Sequence, residues 1–355
     1  MIRASLVREL TKTPFGEFSL YVGVISVSNV LLSEKIFRNL DEQLERLRIH
    51  GITIDDQEEE AVKSLLLFTN YYRLLNGYDD LFIVKEEASH KRCKPGTTLH
   101  CIYRVYDFDK RLQAIFFPHI VRIENKMKSV LAYEFSKEFS HKDYLLESNF
   151  ITTAWTRIFI DGLNQEMQEP ESGKKDRRHP AVRYYMKEHG YVPLWVLVNG
   201  LTLGKTSTFY SLLKTNEKNT VSNHFSIPPS ILGTFLKLLT GFRNICAHSD
   251  RLYNATLLDA SISSLLIHDE LKISKTKNQE YIYGKNDLFA LLIVCYYFLK
   301  TEEFSQLCEA IDSEIIHLAA NTRLAYEEIR KVMNFPVDWK KIKEINVLCK
   351  SRLPK

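Results

Sequence analysis

The stretch LHCIYRVYDFDKRLQAIFFPHIVRIENKMKSVLAYEFSKEF, residues 99–139, carries the longest helical pattern in the chain. Its apolar side chains recur every three or four residues, which places them on one face of a helix. The members of this stripe are Leu112, Ile115, Phe116, Ile120, Ile123, Met127, Val130 and Leu131. Pro118 lies inside the pattern and predicts a kink or a split, because proline cannot donate a backbone hydrogen bond.

Weaker helical patterns flank this stretch on both sides. They cover residues 33–49, 58–75, 150–169, 194–203, 207–213, 228–247, 255–267, 286–300, 305–318 and 323–333. The strand signals are short, at residues 81–84 and in a small hairpin over 273–283. The sequence therefore predicts an all-α fold with at most marginal strands.

Charge and turn residues divide the chain into five regions. These are an N-terminal arm (1–34), an N-terminal helical region (35–169), a basic linker or loop (170–180), a second helical region (181–335) and a basic C-terminal tail (336–355). The arm holds a fairly apolar segment, 20–32, after three basic residues, a faint likeness to a signal peptide. Because polar residues interrupt it, an ordered arm or strand is favoured over export.

Composition excludes several classes of protein. The 355-residue chain has 45% apolar and 26% charged residues with a net charge of +4, which excludes disordered and fibrous proteins. Its longest apolar run, 288–299, is too short to cross a bilayer and predicts a buried helix. Six cysteines without a CxxC pair indicate free thiols in a reducing compartment. We therefore predict a cytoplasmic protein that does not bind a membrane.

Basic residues fall into three clusters, each of which by itself is typical of a solvated loop or tail. Together they favour contact with RNA phosphates. The clusters comprise Lys91 and Arg92, then Lys174, Lys175, Arg177 and Arg178, then Lys340, Lys341 and Lys343. On the long helical stretch, basic side chains lie largely off the apolar stripe, at positions 104, 111, 122 and 126. An exposed basic face is the simpler interpretation, and a groove for nucleic acid is the alternative.

Common catalytic and cofactor motifs are absent from the sequence. It contains no GxGxxG, GxxxxGK[ST], HExxH or GxSxG pattern. The nearest group of metal-ligand types, at residues 90, 93, 100 and 101, has irregular spacing. No cofactor and no metal site are predicted.

The remaining candidate is Arg243-Asn244-Ile245-Cys246-Ala247-His248, at the end of an apolar helical pattern. On a helix Asn244 and His248 share one face, whereas Arg243 lies about 140° from His248. An imidazole can move the 2′-hydroxyl proton of RNA, and a guanidinium can stabilise charge on the phosphate. Cleavage of this kind needs no metal and yields a 2′,3′-cyclic phosphate. Chance predicts roughly 0.6 R-x4-H matches in this chain, so spacing alone proves nothing.

Several ordered motifs give that candidate a context. They are Asn70-Tyr71-Tyr72-Arg73-Leu74-Leu75-Asn76-Gly77-Tyr78, Phe108-Asp109-Lys110-Arg111-Leu112, Ile123-Glu124 with Lys128-Ser129, Val192 to Val198, Arg243 to Asn254, and Met333 to Trp339. Over residues 40–340 the chain resembles the abortive-infection (Abi) family of bacterial anti-phage proteins, the AbiD/AbiF-like group. This group is similar to the HEPN superfamily, compact helical domains that often carry an R-x4–6-H ribonuclease motif.

The resemblance implies a HEPN-like helical domain, extended by N-terminal and C-terminal helices, with its motif in region 181–335. By that likeness Arg243, Asn244 and His248 form the catalytic set, and a homodimer brings two sets to one cleft. Glu124 and Lys128 support the set, although the chain has Asn199 where relatives show Glu and Lys128 where they show Arg. Some relatives act with a small non-coding RNA that restrains the toxic activity.

These inferences leave two main hypotheses. The first is a metal-independent endoribonuclease of anti-phage defence. The alternative is a non-catalytic helical RNA-binding module that acts by sequestration or within an RNA–protein complex. A membrane-acting toxin that uses segment 20–32 is a weaker third hypothesis. The aromatic motif residues Tyr71, Tyr72, Trp195 and Trp339 could stack on RNA bases, although such side chains more often belong to a core.

Overall fold

The computed structural model describes residues 36–84, 92–170, 175–263 and 265–345, and helices dominate them. The first helices are α1 (Leu40–Ile49), α2 (Glu59–Thr69), α3 (Tyr71–Tyr78), α4 (Leu99–Phe139), α5 (Ala154–Met167), α6 (Pro180–His189) and α7 (Leu194–Leu197). They are followed by α8 (Leu203–Leu212), α9 (Thr215–Asn223), α10 (Pro229–Ala247), α11 (Leu266–Glu270), α12 (Leu288–Phe298), α13 (Thr301–Asn321) and α14 (Tyr326–Val332). Strands β1 (Ile83–Val84) and β2 (Arg92–Cys93) pair antiparallel. Short 3-10 helices cover Asp56–Glu58, Asp143–Leu145, Glu147–Asn149, Val198–Gly200 and Trp339–Lys343. The predicted all-α fold class is confirmed.

Helix α4 is the central element, and it has the predicted bounds. Thr98 caps its first turn by accepting a hydrogen bond from the Cys101 N–H. The apolar stripe of α4 packs against α3, α7, α10 and α13. The helix continues through Pro118, so the predicted split does not occur. Because Pro118 and Ala114 are both exposed, water can satisfy the carbonyl group that proline leaves without a donor.

The single helix predicted over 58–75 is wrong, because Asn70 divides it into α2 and α3. Asn70 has a positive φ of 68°, a conformation that asparagine tolerates better than most residues. Its side chain accepts hydrogen bonds from the N–H groups of Tyr72 and Arg73, at 3.1 and 3.2 Å. Asn70 therefore ends α2 and caps α3, and the second helix can take a new direction.

Helix α12 is the predicted buried helix, and each of its residues is buried. Asp287 caps it by accepting the N–H groups of Ala290 at 2.9 Å and Gly284 at 3.0 Å. The helix predicted over 255–267 is wrong, because the described residues before α11 are irregular. These residues instead form hydrogen bonds to the segment before α12. The N–H groups of Leu257 and Ile262 donate to the carbonyl groups of Asn286 and Lys285 in that segment.

From Leu40 onward the described residues form one compact unit. The region boundaries proposed from the sequence, at 169–181 and at 335, stay predictions. Among the described residues no helix is both long and apolar enough to cross a membrane. Segment 20–32, on which the membrane-acting hypothesis depends, lies outside the described residues.

Candidate active site

Helix α10 ends at the candidate motif in a defined turn. His248 follows the last helical residue, and Ser249 takes a positive φ of 57°. The Ser249 N–H donates to the Cys246 carbonyl at 3.2 Å, and the Asp250 N–H donates to the Ile245 carbonyl at 2.9 Å. These two bonds form a Schellman motif, with Ser249 where glycine is usual. The turn fixes the backbone on both sides of His248.

A buried carboxylate holds the chain just after this turn. Asp109 of α4 is fully buried, and its Oδ1 accepts the N–H groups of Leu252 and Tyr253 at 2.9 and 2.6 Å. Its Oδ2 accepts the Tyr78 hydroxyl at 2.8 Å and Gln113 Nε2 at 2.9 Å. Burial raises the pKa of Asp109, while the Tyr78 hydroxyl and the two backbone donors oppose that shift. Four donors on one carboxylate compensate for much of its lost hydration.

Neighbours of Asp109 reach the turn itself. Lys110 Nζ donates to the Ser249 carbonyl at 2.8 Å, and Gln113 Nε2 donates to the Asp250 carbonyl at 2.6 Å. Burial lowers the pKa of Lys110, and the nearby Asp109 charge opposes this change. Arg251 binds the Gly77 carbonyl and Asp80 at the end of α3. Three motifs that are distant in sequence therefore converge behind His248.

Arg243 points from α10 towards α4. Its Nε lies 3.7 Å from Glu124 Oε2, and Glu124 Oε1 binds Lys128 Nζ at 2.7 Å one helical turn away. The Glu124 side chain is 7% exposed and that of Arg243 is 30% exposed. The structure thus brings together Arg243 and the two supporting residues proposed from the sequence. The 3.7 Å contact is an ion pair without a hydrogen bond, because Arg243 Nε has no hydrogen-bond acceptor among the described residues, and part of the Arg243 side chain is open to solvent.

Asn244 and His248 are exposed on one face at the end of α10. The His248 N–H donates to the Asn244 carbonyl at 2.9 Å. Within the described residues no hydrogen bond or ion pair joins the His248 ring to Arg243. One chain therefore offers an accessible imidazole beside an amide, with the guanidinium turned towards α4.

An open groove of about 700 Å³ begins next to the Glu124–Lys128 pair. One wall is α4, and the other is formed by α7 and the turn after it. The lining residues are Asn125, Lys128, Ser129, Ala132, Tyr133, Ser136, Lys137, Trp195, Val198 and Asn199. Lys128 of α4 and Asn199, in the 3-10 helix after α7, thus line the same groove.

A sequence profile of the family described as Abi-like protein matches residues 64–254, more than half of the chain. The chain belongs to the Abi-like protein family. The match spans α3, α4 and α10, and so includes the three motifs that converge behind His248. Membership supports a role in abortive infection. No curated protein and no solved structure matches this Abi-like protein.

The basic residues of this Abi-like protein are in several different settings. Lys91 and Lys174 lie outside the described residues, whereas Arg92, Lys175 and Arg177 are exposed. Arg178 is engaged within the protein, binding both oxygens of Asp176 and donating to the Met167 carbonyl. The C-terminal lysines bind acids at close range, as pairs Lys340–Asp312, Lys341–Asp338 and Lys343–Glu309. Their roles as RNA contacts stay predictions.

No role was predicted for Asp109 or Gln113, although the motif Phe108–Leu112 contains the first of them. The available signal was a charged residue within an apolar helical pattern, flanked by Phe108 and Leu112. Nothing local showed that its partners are backbone groups more than 140 residues away. Among the described residues, no three His, Cys, Asp or Glu side chains are grouped as metal ligands would be.

Proposed function

We propose that this Abi-like protein is a metal-independent endoribonuclease of the HEPN type that acts in abortive infection. Its substrate is single-stranded RNA. The His248 imidazole takes the proton of the 2′-hydroxyl or delivers one to the leaving 5′-oxygen, while Asn244 orients the reacting groups. Arg243 stabilises the charge that builds on the phosphate oxygens. The products are a 2′,3′-cyclic phosphate and a 5′-hydroxyl.

The observation that carries this proposal is the placement of His248. It is exposed, next to Asn244, on a turn whose backbone is held by Lys110, Gln113 and the buried Asp109. General acid–base catalysis requires an accessible imidazole at a defined position, and these contacts hold the backbone from which the exposed ring of His248 projects.

One chain offers a single set of these groups, so the proposal includes a homodimer in the cytoplasm. Two subunits related by a two-fold axis would present two His248 side chains to one cleft. Arg243 of one subunit could then serve the phosphate held by His248 of its partner. This arrangement suits the position of Arg243, which faces α4 and makes no bond to its own His248.

The test is cleavage of end-labelled single-stranded RNA in buffer that contains EDTA. The wild-type protein should cut, and the fragments should carry a cyclic phosphate and a 5′-hydroxyl. His248→Ala should abolish cutting, whereas His317→Ala, which changes an exposed histidine on α13, should not. Equal cutting by both variants, or no cutting by any preparation, would contradict the proposal.

A second candidate function is RNA binding without catalysis, and the Arg243–Glu124 pair favours it. An arginine bound to a buried acid can be purely structural. In that case the wild type would not cleave RNA, and Arg243→Ala would lower the free energy of unfolding while leaving RNA binding intact. A fully folded Arg243→Ala protein that binds RNA but no longer cuts it would support catalysis instead.

The proposal also includes restraint by a bound small non-coding RNA. The exposed Arg92, Lys175 and Arg177 supply positive charge for such a partner. Protein purified at low salt should then show a high ratio of absorbance at 260 nm to that at 280 nm. Removal of the RNA at high salt should raise the cleavage rate. If protein purified at low salt has the absorbance ratio of protein without nucleic acid, restraint by a bound RNA is contradicted.

A further inference from the structure

The groove beside α4 combines exposed aromatic side chains with basic and amide groups. One wall is the side of α4 that faces away from the apolar stripe, and Trp195 of α7 lies on the opposite wall. The Trp195 side chain is 49% exposed and Tyr133 is 63% exposed. Two large aromatic side chains that remain half open to water offer flat apolar faces to a ligand.

The polar side chains that line the groove are amides, hydroxyls and lysines. Asn125, Ser129 and Ser136 line it together with Lys128 and Lys137. A shallower cavity continues along α4, shares Asn125 and Ser129 with the groove, and adds Arg122 and Lys126. Of the described residues that line the two cavities, none is acidic. Lys128 and Arg122 pair with Glu124 and Glu303 beside the cavities, whereas Lys126 and Lys137 are in no ion pair among the described residues. These two lysines give the cavities a charge that is complementary to an anionic chain.

Aromatic faces between basic and amide side chains match the chemistry of unpaired nucleotides. Bases stack on indole and phenol rings, and lysines follow the phosphates. A base-paired duplex would use the lysines but leave the aromatic faces without a partner, because its bases already stack on each other.

We propose that this groove binds two or three unpaired nucleotides of a single-stranded RNA, with Trp195 and Tyr133 as stacking faces. The inference rests on the proposed function, because the groove begins one helical turn from Glu124, the acid that holds Arg243. RNA in the groove would extend from the scissile phosphate along α4. Asn199 and Lys128, which also binds Glu124, would then line the path of the RNA.

The test measures binding separately from cleavage. A fluorescent single-stranded oligoribonucleotide is titrated with His248→Ala protein, and anisotropy gives the dissociation constant. Adding Trp195→Ala should weaken binding about tenfold, the loss of one stacked base, whereas Trp195→Phe should keep most of the affinity. Trp155→Ala is the matched control, since Trp155 is 71% exposed on α5 outside the groove.

Two further arms define the ligand. Lys137→Ala should reduce the salt dependence of binding by about 0.7 in the log–log slope, and Lys237→Ala, an exposed lysine on α10 outside the groove, should not. A duplex of the same sequence should bind with an affinity that Trp195→Ala leaves unchanged. Far-ultraviolet circular dichroism checks that each variant is folded.

The outcomes separate this inference from the nuclease proposal. If the wild type cuts RNA while Trp195→Ala and Trp155→Ala bind it equally, the groove assignment is wrong and the nuclease stands. If Trp195→Ala weakens binding but no preparation cuts RNA, the groove stands and the nuclease proposal fails. Absence of binding in every preparation would overturn the groove assignment.

Discussion

Asp109 has no exposed surface, yet its carboxylate accepts four hydrogen bonds, three from residues of two other sequence motifs and one from Gln113 of its own helix. Two of the donors are backbone N–H groups of the segment that follows His248. The buried charge therefore acts as a positioning group for the candidate catalytic turn. Its own distance from solvent prevents it from touching RNA.

Replacing Asp109 by asparagine tests this role. The amide keeps one acceptor for Leu252 and Tyr253 but presents an NH2 group to Gln113, which is also a donor. We expect the free energy of unfolding to fall by about 1–3 kcal/mol and RNA cleavage to fall further than stability explains. Urea unfolding and single-turnover cleavage measure the two effects. Asp107→Asn, on a half-exposed side chain of the same helix, should change stability by less than about 0.5 kcal/mol.

Gly284 allows a second comparison at a single residue. It has a positive φ of 79°, and an added Cβ would lie 2.9 Å from Ile293 Cδ1 and 3.0 Å from His268 Nε2. Gly190 has a similar φ of 73° with nothing within 4 Å. Gly284→Ala should therefore cost about 1–3 kcal/mol more than Gly190→Ala, because only the first also crowds the core. Equal losses in thermal unfolding would show that the neighbours of Gly284 can move.

Sequence patterns suggest residues that could carry chemistry more readily than residues that position them. Arg243, Asn244 and His248 form a local motif, so their chemistry could be proposed from residue types and spacing. The pairing of Arg243 with Glu124 depends on how α10 crosses α4, which no local pattern encodes. Trp195 was a candidate for stacking and is half exposed, whereas Trp339 is 1% exposed and belongs to the core.

At the scale of elements, helices with a strong apolar period and clear ends were predicted well. Helix α4 has its predicted bounds, and α10 begins at the Pro228-Pro229 pair, as the sequence indicates. Predictions failed where one residue redirected the chain, as Asn70 does between α2 and α3. They also failed over 255–267, where the backbone bonds to the segment before α12 instead of to itself. The first failure reflects a local cap and the second a tertiary contact, and each outweighs a helical period.

The cap of α12 makes stability depend on pH. Burial raises the pKa of Asp287 to about 6, even though four backbone N–H groups oppose that shift. The folded protein therefore binds this proton more tightly than the unfolded chain does. The stabilisation is complete below pH 4 and is lost as the pH rises to 6, an effect of about 3 kcal/mol.

Asp287→Asn should remove this dependence. The difference in free energy of unfolding between wild type and variant should fall from pH 4 to pH 6 and stay level above it, as measured by urea unfolding across that range. Taking the difference matters because burial lowers the pKa of His268, which is 0% exposed. That histidine makes both proteins less stable as the pH falls below about 6.5, the opposite direction. A difference that does not change with pH would mean that Asp287 titrates normally.

The two surfaces that we propose to act on RNA meet at α4. The apolar stripe of α4 packs on α10 and α13. On the same helix Asp109 holds the turn that follows His248, and Glu124 forms an ion pair with Arg243. The side of α4 opposite the stripe forms one wall of the groove. A long central helix can connect catalysis and RNA binding in this way because it is rigid over many turns. What one chain lacks under the nuclease proposal is a second imidazole at the scissile phosphate.

A mixing experiment tests whether the second imidazole comes from another copy. His248→Ala protein and wild type are refolded together at varied ratios and constant total concentration, and sedimentation velocity should first show a particle of twice the 41.5 kDa chain. If each cleft needs His248 from both subunits, cleavage should follow the square of the wild-type fraction, about one quarter of full activity in an equal mixture. His317→Ala in place of His248→Ala should leave full activity at every ratio. A linear decrease, about one half in the equal mixture, would show that each subunit cuts alone and that the shared cleft does not exist.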